Sequence, residues 1–137
     1  MWLKILYFSK SHQWFQDEDG SVGLTKFAAE SLGDISFVDL ENLNGASVSQ
    51  VVFEGNDVKS SPIDCTVESS KAVADIYSPV SGTVKEINRE VMDAPDKINA
   101  DPMAAWLFKV DASNLAGEKG NLLDEKAYAA FCATLKK

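Results

Sequence analysis

Lys71 is the side chain whose setting most suggests chemistry. It stands in the run Val67-Glu68-Ser69-Ser70-Lys71-Ala72. Before it, Ile63-Asp64-Cys65-Thr66-Val67 alternates apolar and polar residues, the period of a half-buried strand. After it, Ala72-Val73-Ala74-Asp75-Ile76-Tyr77 reads as a second strand, with Ala72, Ala74 and Ile76 on one face. Glu68-Ser69-Ser70-Lys71 is short and polar, and serines suit a type I turn. The segment therefore predicts a hairpin with Lys71 at or beside its tip and its ammonium in water. Such an amine can be acylated, or it can simply be solvated surface. The hairpin alone does not choose between them.

Other chemistry is sparse. His12 is the single histidine, so no histidine-rich metal site can form and no metal ligands are assigned. Asp17/Glu18 and Asp34/Asp39 lack a spacing that would join them in a cleft. No phosphate loop, nucleophile elbow or Walker pattern occurs. Cys65 and Cys132 form neither a disulfide framework nor a metal pattern, and they read as plain thiols of a reducing, cytoplasmic compartment. The formal net charge of −8 argues against a nucleic-acid surface, which needs a basic stripe. No apolar run is long enough to span a bilayer, and no targeting segment is seen. The sequence points to a carrier or binding module with no catalytic residues of its own.

The elements that must hold Lys71 are mostly short strands. With 137 residues, 45% of them hydrophobic, the chain can form one domain over 1–137 with a substantial core. Strands are expected at the start, around Trp2, Ile5 and Tyr7, then at 12–16, 21–24 and 35–40. Further strands are expected around Val51-Val52-Phe53, at 84–88 and at 106–110. Pro79 and Gly82 mark a bend before residue 84, with Gly82 permitting a positive φ. Thr25 as N-cap and Gly33 as C-cap bracket a short helix near 26–32. Residues 89–102 read as irregular, and a short helix or turn falls near 113–116. Tyr128, Phe131, Cys132 and Leu135 lie at amphipathic spacing and predict a C-terminal helix near 124–135. The class is mainly β, a sandwich or barrel with peripheral helices.

The lysine run, with Asp75 and Ser78-Pro79-Val80-Ser81-Gly82-Thr83-Val84, resembles the lipoyl-lysine signature of the glycine cleavage system H-protein family. Ser11-His12-Gln13-Trp14, Val22-Gly23-Leu24-Thr25, Leu32 to Leu40, Asn99-Ala100-Asp101-Pro102 and Trp106-Leu107 follow in the family's order. The resemblance implies a flattened β barrel-sandwich hybrid of the lipoyl- and biotinyl-carrier type, with lipoate in amide linkage to Lys71. It implies an arm that takes an aminomethyl group from glycine decarboxylase to aminomethyltransferase and is reoxidised by dihydrolipoyl dehydrogenase. Glu68, Ser69, Ser70, Ala72 and Asp75 would flank the lysine and serve a lipoate-attaching enzyme and docking partners. His12 and Gln13 would border the pocket that the arm visits. Gln13 replaces a glutamate usual in the family, a carboxylate thought to meet the cargo's amino group. Residues 49–62 form a longer connection than usual, Ser70 replaces a valine, and Pro102 to Trp106 replaces a glycine-containing run. The alternative function is an H-like paralogue that carries lipoate for lipoyl relay or for a redox or sulfur pathway.

Overall fold

The strands are short because turn residues interrupt the apolar alternation at close intervals, and two sheets assemble from them. The computed structural model describes residues 5–135. The expected strand contribution of Trp2 lies outside them. In chain order the strands are β1 Leu6–Phe8, β2 Gln13–Gln16, β3 Ser21–Leu24, β4 Ile35–Asp39, β5 Ser47–Val48, β6 Phe53–Glu54, β7 Asp57–Val58, β8 Thr66–Ser69, β9 Val73–Ala74, β10 Gly82–Ile87 and β11 Phe108–Ala112. The helices are α1 Lys26–Leu32, α2 Arg89–Asp93, α3 Lys97–Ala100, α4 Leu115–Glu118 and α5 Glu125–Leu135. One sheet runs β1-β2-β3-β11-β10-β5 and a second runs β4-β8-β9, while β6 and β7 form a small separate hairpin.

The core lies where these two sheets meet. Phe15, Val22, Leu24, Ile35, Val38, Val67, Val84 and Phe108 pack in one buried cluster contributed by both. Each such side chain contributes roughly 1.5–3 kcal/mol by leaving water, which outweighs any single surface contact in the molecule. A smaller cluster of Phe8, Trp14 and Tyr128 seats α5 on the β1–β2 end of the large sheet. Phe8 and Leu123 exchange both backbone hydrogen bonds, at 2.7 and 2.8 Å. That bridge covers part of the exposed edge of β1.

Both predicted helices form, and α1 has the expected caps. Thr25 accepts from the Ala28 N–H and Gly33 closes α1 at φ 78°. α5 matches the amphipathic reading, with Tyr128 buried, although Leu135 is 40% exposed.

Several boundaries differ. Residues 89–102 are not irregular: they hold α2 and α3, and α2 is capped by the Asn88 side chain accepting from the Glu90 N–H. Helices this short carry too few positions for periodicity to register. Val51 and Val52 are outside any strand. Gln50 pairs with Ser78 through an isolated parallel bridge, and Pro79, lacking an N–H, cannot extend it. The long 49–62 connection instead folds into its own hairpin, β6–β7, with Phe53 opposite Val58. His12 precedes β2 in a left-handed conformation, φ 73°. Trp106 and Leu107 precede β11, and α4 lies two residues beyond the expected start near 113. Gly82 is not at positive φ: a side chain there would run into the Asp111 carbonyl of the adjacent strand, so close approach excludes one.

Candidate functional site

The lysine hairpin forms, in a tighter register than its sequence suggested. Val67 faces Ala74 and Glu68 faces Val73, so β8 begins only at Thr66 and β9 ends at Ala74. The tip is Ser70-Lys71-Ala72. The Ser69 hydroxyl oxygen accepts from the backbone N–H groups of Lys71 and Ala72, both at 3.2 Å, and the Ser69 N–H donates to the Ala72 carbonyl at 2.8 Å. One serine side chain thus fixes the backbone that displays Lys71. Lys71 is exposed, and its ammonium has no ion-pair partner among the described residues. Acylating it would break no salt bridge. Ser70 and Ala72 are exposed beside it.

Lys71 leans back over the end of α1. A Cβ at position 33 would come within 3.0 Å of Lys71 Cε and 3.6 Å of Nζ, and Gly33 leaves that space open. Asn99 holds this corner. Its Nδ2 donates to the Gly33 carbonyl at 2.8 Å, and its Oδ1 accepts from the Ile35 N–H at 2.8 Å. Asn99→Ala strands a backbone donor and an acceptor, so a stability loss of about 1–3 kcal/mol is expected in urea unfolding. A loss near zero would show that the clamp is not needed.

A cleft of about 180 Å³ opens where the hairpin meets α1. Phe27, Ala28 and Leu32 line it from α1, Ala74 from the end of β9, and Asp75 and Ile76 from the segment that follows. His12 and Gln13 border it too. The structure therefore brings Asp75, His12 and Gln13 together in this cleft; Lys71 stands at the tip of the hairpin that leads into it and does not itself line it, and Glu68 stands on the outer face of the hairpin sheet. The cleft equals about six water volumes at roughly 30 Å³ each. That is room for the end of an arm and a small cargo, not for a drug-sized ligand. A larger cleft of about 330 Å³ lies between α2, α3 and Trp106, but no hairpin residue lines it.

Gln13 borders the cleft, yet its amide oxygen and one of its two amide N–H groups are engaged within the turn before β2. The side chain is buried; Oε1 accepts from the Ser9 hydroxyl at 3.1 Å and from the Ser11 hydroxyl, and Nε2 donates to the Ser11 carbonyl at 2.9 Å. Asp75 is consequently the one carboxylate lining the cleft among the described residues. Gln13→Glu would set a carboxylate oxygen against the Ser11 carbonyl in a buried site, raising that acid's pKa. A raised folded-state value means the native state binds the extra proton, so stability falls as pH rises from the ordinary glutamate range. The expected cost is about 1–3 kcal/mol at pH 8 and less at pH 5, read by urea unfolding at both. Equal stability at the two pH values would contradict this hydrogen-bond assignment.

Thiol chemistry is absent from this site. Burial first, and then the carboxylates of Asp64 and Asp39, push the Cys65 thiol up to about 12. It is inert as a nucleophile at neutral pH. No group of three or more His, Cys, Asp or Glu that could hold a metal ion occurs among the described residues, and no helix among them is long and apolar enough to cross a membrane.

The flattened β barrel-sandwich is the fold of the lipoyl and biotinyl carrier class. The model of the glycine cleavage H-protein family matches residues 6–135. The chain is 44% identical over 133 residues to the probable glycine cleavage system H protein of Pyrococcus furiosus, covering 95% of this chain and 91% of that one. It is 40% identical over 134 residues to the glycine cleavage system H protein of Thermotoga maritima, covering 96% and 98%. A crystal structure of the H protein from Mycobacterium marinum superposes with a TM-score of 0.74 at 30% identity, covering 96% of this chain and 99% of that one. The chain belongs to the glycine cleavage H-protein family.

Proposed function

We propose that Lys71 is the point of lipoate attachment and that the chain is the non-catalytic carrier of glycine cleavage. In this role it shuttles the aminomethyl group from glycine decarboxylase to aminomethyltransferase, with dihydrolipoyl dehydrogenase and a lipoate-attaching enzyme as further partners. The observation that carries the reading is the placement of an exposed, unpaired lysine at the tip of the same hairpin whose outgoing strand lines the cleft. The residues present fit an acyl-lysine arm: the amine is free, its loss of charge breaks no ion pair, and the adjacent wall is apolar.

Lipoate, when bound, supplies the dithiol that holds the one-carbon unit. The chain supplies everything else. Ser69 keeps the tip rigid, so motion is confined to the lysine side chain and what it bears. A short tether of this kind holds its end at an effective concentration of roughly millimolar near a docked partner. Phe27, Ala28 and Leu32 exclude water from a cargo parked in the cleft, and Asp75 offers a counter-charge to a protonated amine. On the outer sheet face, Glu68 is in register between Phe37 and Val73, which are 48% and 64% exposed. This apolar row with a central carboxylate sits beside the tip and gives the attaching enzyme and the partners a contact that reads the hairpin.

The test supplies the lipoylated protein to glycine decarboxylase and follows labelled bicarbonate into glycine. The proposal expects robust exchange that depends on lipoylation. Lipoylation without exchange would overturn the assignment to glycine cleavage.

A further inference from the structure

His12 has a constrained environment that carriage by Lys71 does not explain. Its left-handed backbone is tied in by the His12 carbonyl accepting from the Thr25 N–H at 3.1 Å. Its ring stacks on Phe27, with centroids 4.5 Å apart, and lies near Phe131 at 5.9 Å. Nδ1 is 2.7 Å from the Tyr128 hydroxyl, which is itself 2.7 Å from the Thr25 hydroxyl. Thr25 Oγ1 also accepts from the Ala28 N–H at 3.2 Å. Tyr128 and Thr25 are buried, so water does not complete their bonding.

Counting protons fixes the direction of this chain. The Thr25 hydroxyl has one acceptor among the described residues, the Tyr128 oxygen. If Thr25 donates to Tyr128, the phenol proton goes to His12 Nδ1 and every donor is used. If the chain ran the other way, Tyr128 would donate to Thr25 and the Thr25 proton would have no acceptor, in a buried place where that is costly. We propose that Tyr128, oriented by Thr25, holds His12 as a neutral ring protonated at Nε2, and that this N–H is a hydrogen-bond donor to whatever enters the cleft. His12 and Tyr128 are positioning residues in this scheme. The ligand chemistry is a hydrogen-bond acceptor: either the amide carbonyl of the acylated lysine or the amine at the arm's end in its unprotonated form, the protonated form being the one that Asp75 would pair with instead. The second half of the proposal rests on Lys71 bearing the arm, while the first half concerns the unmodified chain.

The surrounding groups agree with a neutral ring. Protonation at Nδ1 would reverse the phenol and orphan the Thr25 hydroxyl. Burial alone already holds His12 below its ordinary value, and burial holds the Tyr128 phenol above its own, with Cys132 adding to it. Two charged groups lie in the surroundings, Asp75 lining the same cleft and Lys10 5.8 Å from the Phe131 ring, and neither contributes to the His12 shift, whose cause is burial. A depressed histidine removes stability as pH falls, because the unfolded chain takes up its proton first.

With one histidine in the sequence, the test is a single-site reading. Nitrogen-15 NMR of the unmodified chain reports the His12 tautomer and titration directly. The Nε2–H form is expected, with titration below the ordinary histidine value. Tyr128→Phe is expected to mix the tautomers and raise the titration point by about one pH unit, the scale of one lost hydrogen bond. Thr25→Ser, which keeps the hydroxyl, is expected to leave both as they were. An Nδ1–H tautomer in the unmodified chain, or an unchanged tautomer and titration in Tyr128→Phe, would overturn the relay. On lipoylation, a shift of the Nε2 signal identifies the amide carbonyl as the acceptor, and a shift only after aminomethyl loading identifies the amine. No shift in either state would overturn the donor role. Failure of Lys71 to accept lipoate would leave the tautomer result standing and count against the carrier proposal instead.

Discussion

Lys71→Arg is expected to reduce lipoylation and glycine–bicarbonate exchange to the level of a blank without carrier, while leaving the fold unchanged. Arginine keeps the charge and the length, so any docking contact that reads a cation at the tip survives. It cannot form the amide, because its delocalised guanidinium stays protonated and is a poor nucleophile. The side chain is exposed and makes no ion pair among the described residues, so unfolding free energy should change by no more than about 0.5 kcal/mol. Loss of exchange with an unchanged unfolding curve separates the attachment chemistry from stability. Retained exchange would show that the arm hangs elsewhere.

Trp14→Ala is expected to give the largest stability loss, about 3–5 kcal/mol. Trp14 is 2% exposed and covers its cross-strand partner Gly23, where any Cβ would meet the indole at 2.5 Å. Its Nε1 donates to the Pro102 carbonyl at 3.0 Å, so the ring joins β2, β3 and the loop after α3. Whole domains carry about 5–15 kcal/mol, and this loss would leave little margin. Thermal or urea unfolding reads it directly. A loss below about 1 kcal/mol would mean that the indole does not unite these segments.

Trp14 also explains why separate motifs along the chain agreed. Gly23 is small because Trp14 covers it, Pro102 receives the indole proton, and Asn99 clamps Gly33 to Ile35 under the lysine. The motifs are largely the scaffold that aims the hairpin. Their pattern was legible in the sequence, but their contacts were not, since each joins segments far apart in the chain. The α1 helix and the lysine hairpin were legible because caps and turn serines act within a few residues. α2 and α3 were not, being too short to show a period. The character of Gln13 was also hidden. Its residue type suggested a polar group offered wholly to the cleft, whereas two serine hydroxyls and a carbonyl of its own turn engage the amide oxygen and one of its N–H groups. Tyr128 read as one position of an apolar helix face. Only the packing of α5 on β1–β2 brings its hydroxyl to His12.

The central claim is that this fold displays Lys71 for lipoate. Incubating the purified chain with lipoate, ATP and a lipoate ligase, then combining intact mass with peptide mapping, tests it most directly. The predicted result is a single lipoyl group on the peptide that contains Lys71. No adduct, or an adduct on another lysine such as the exposed Lys26 of α1, would contradict the claim.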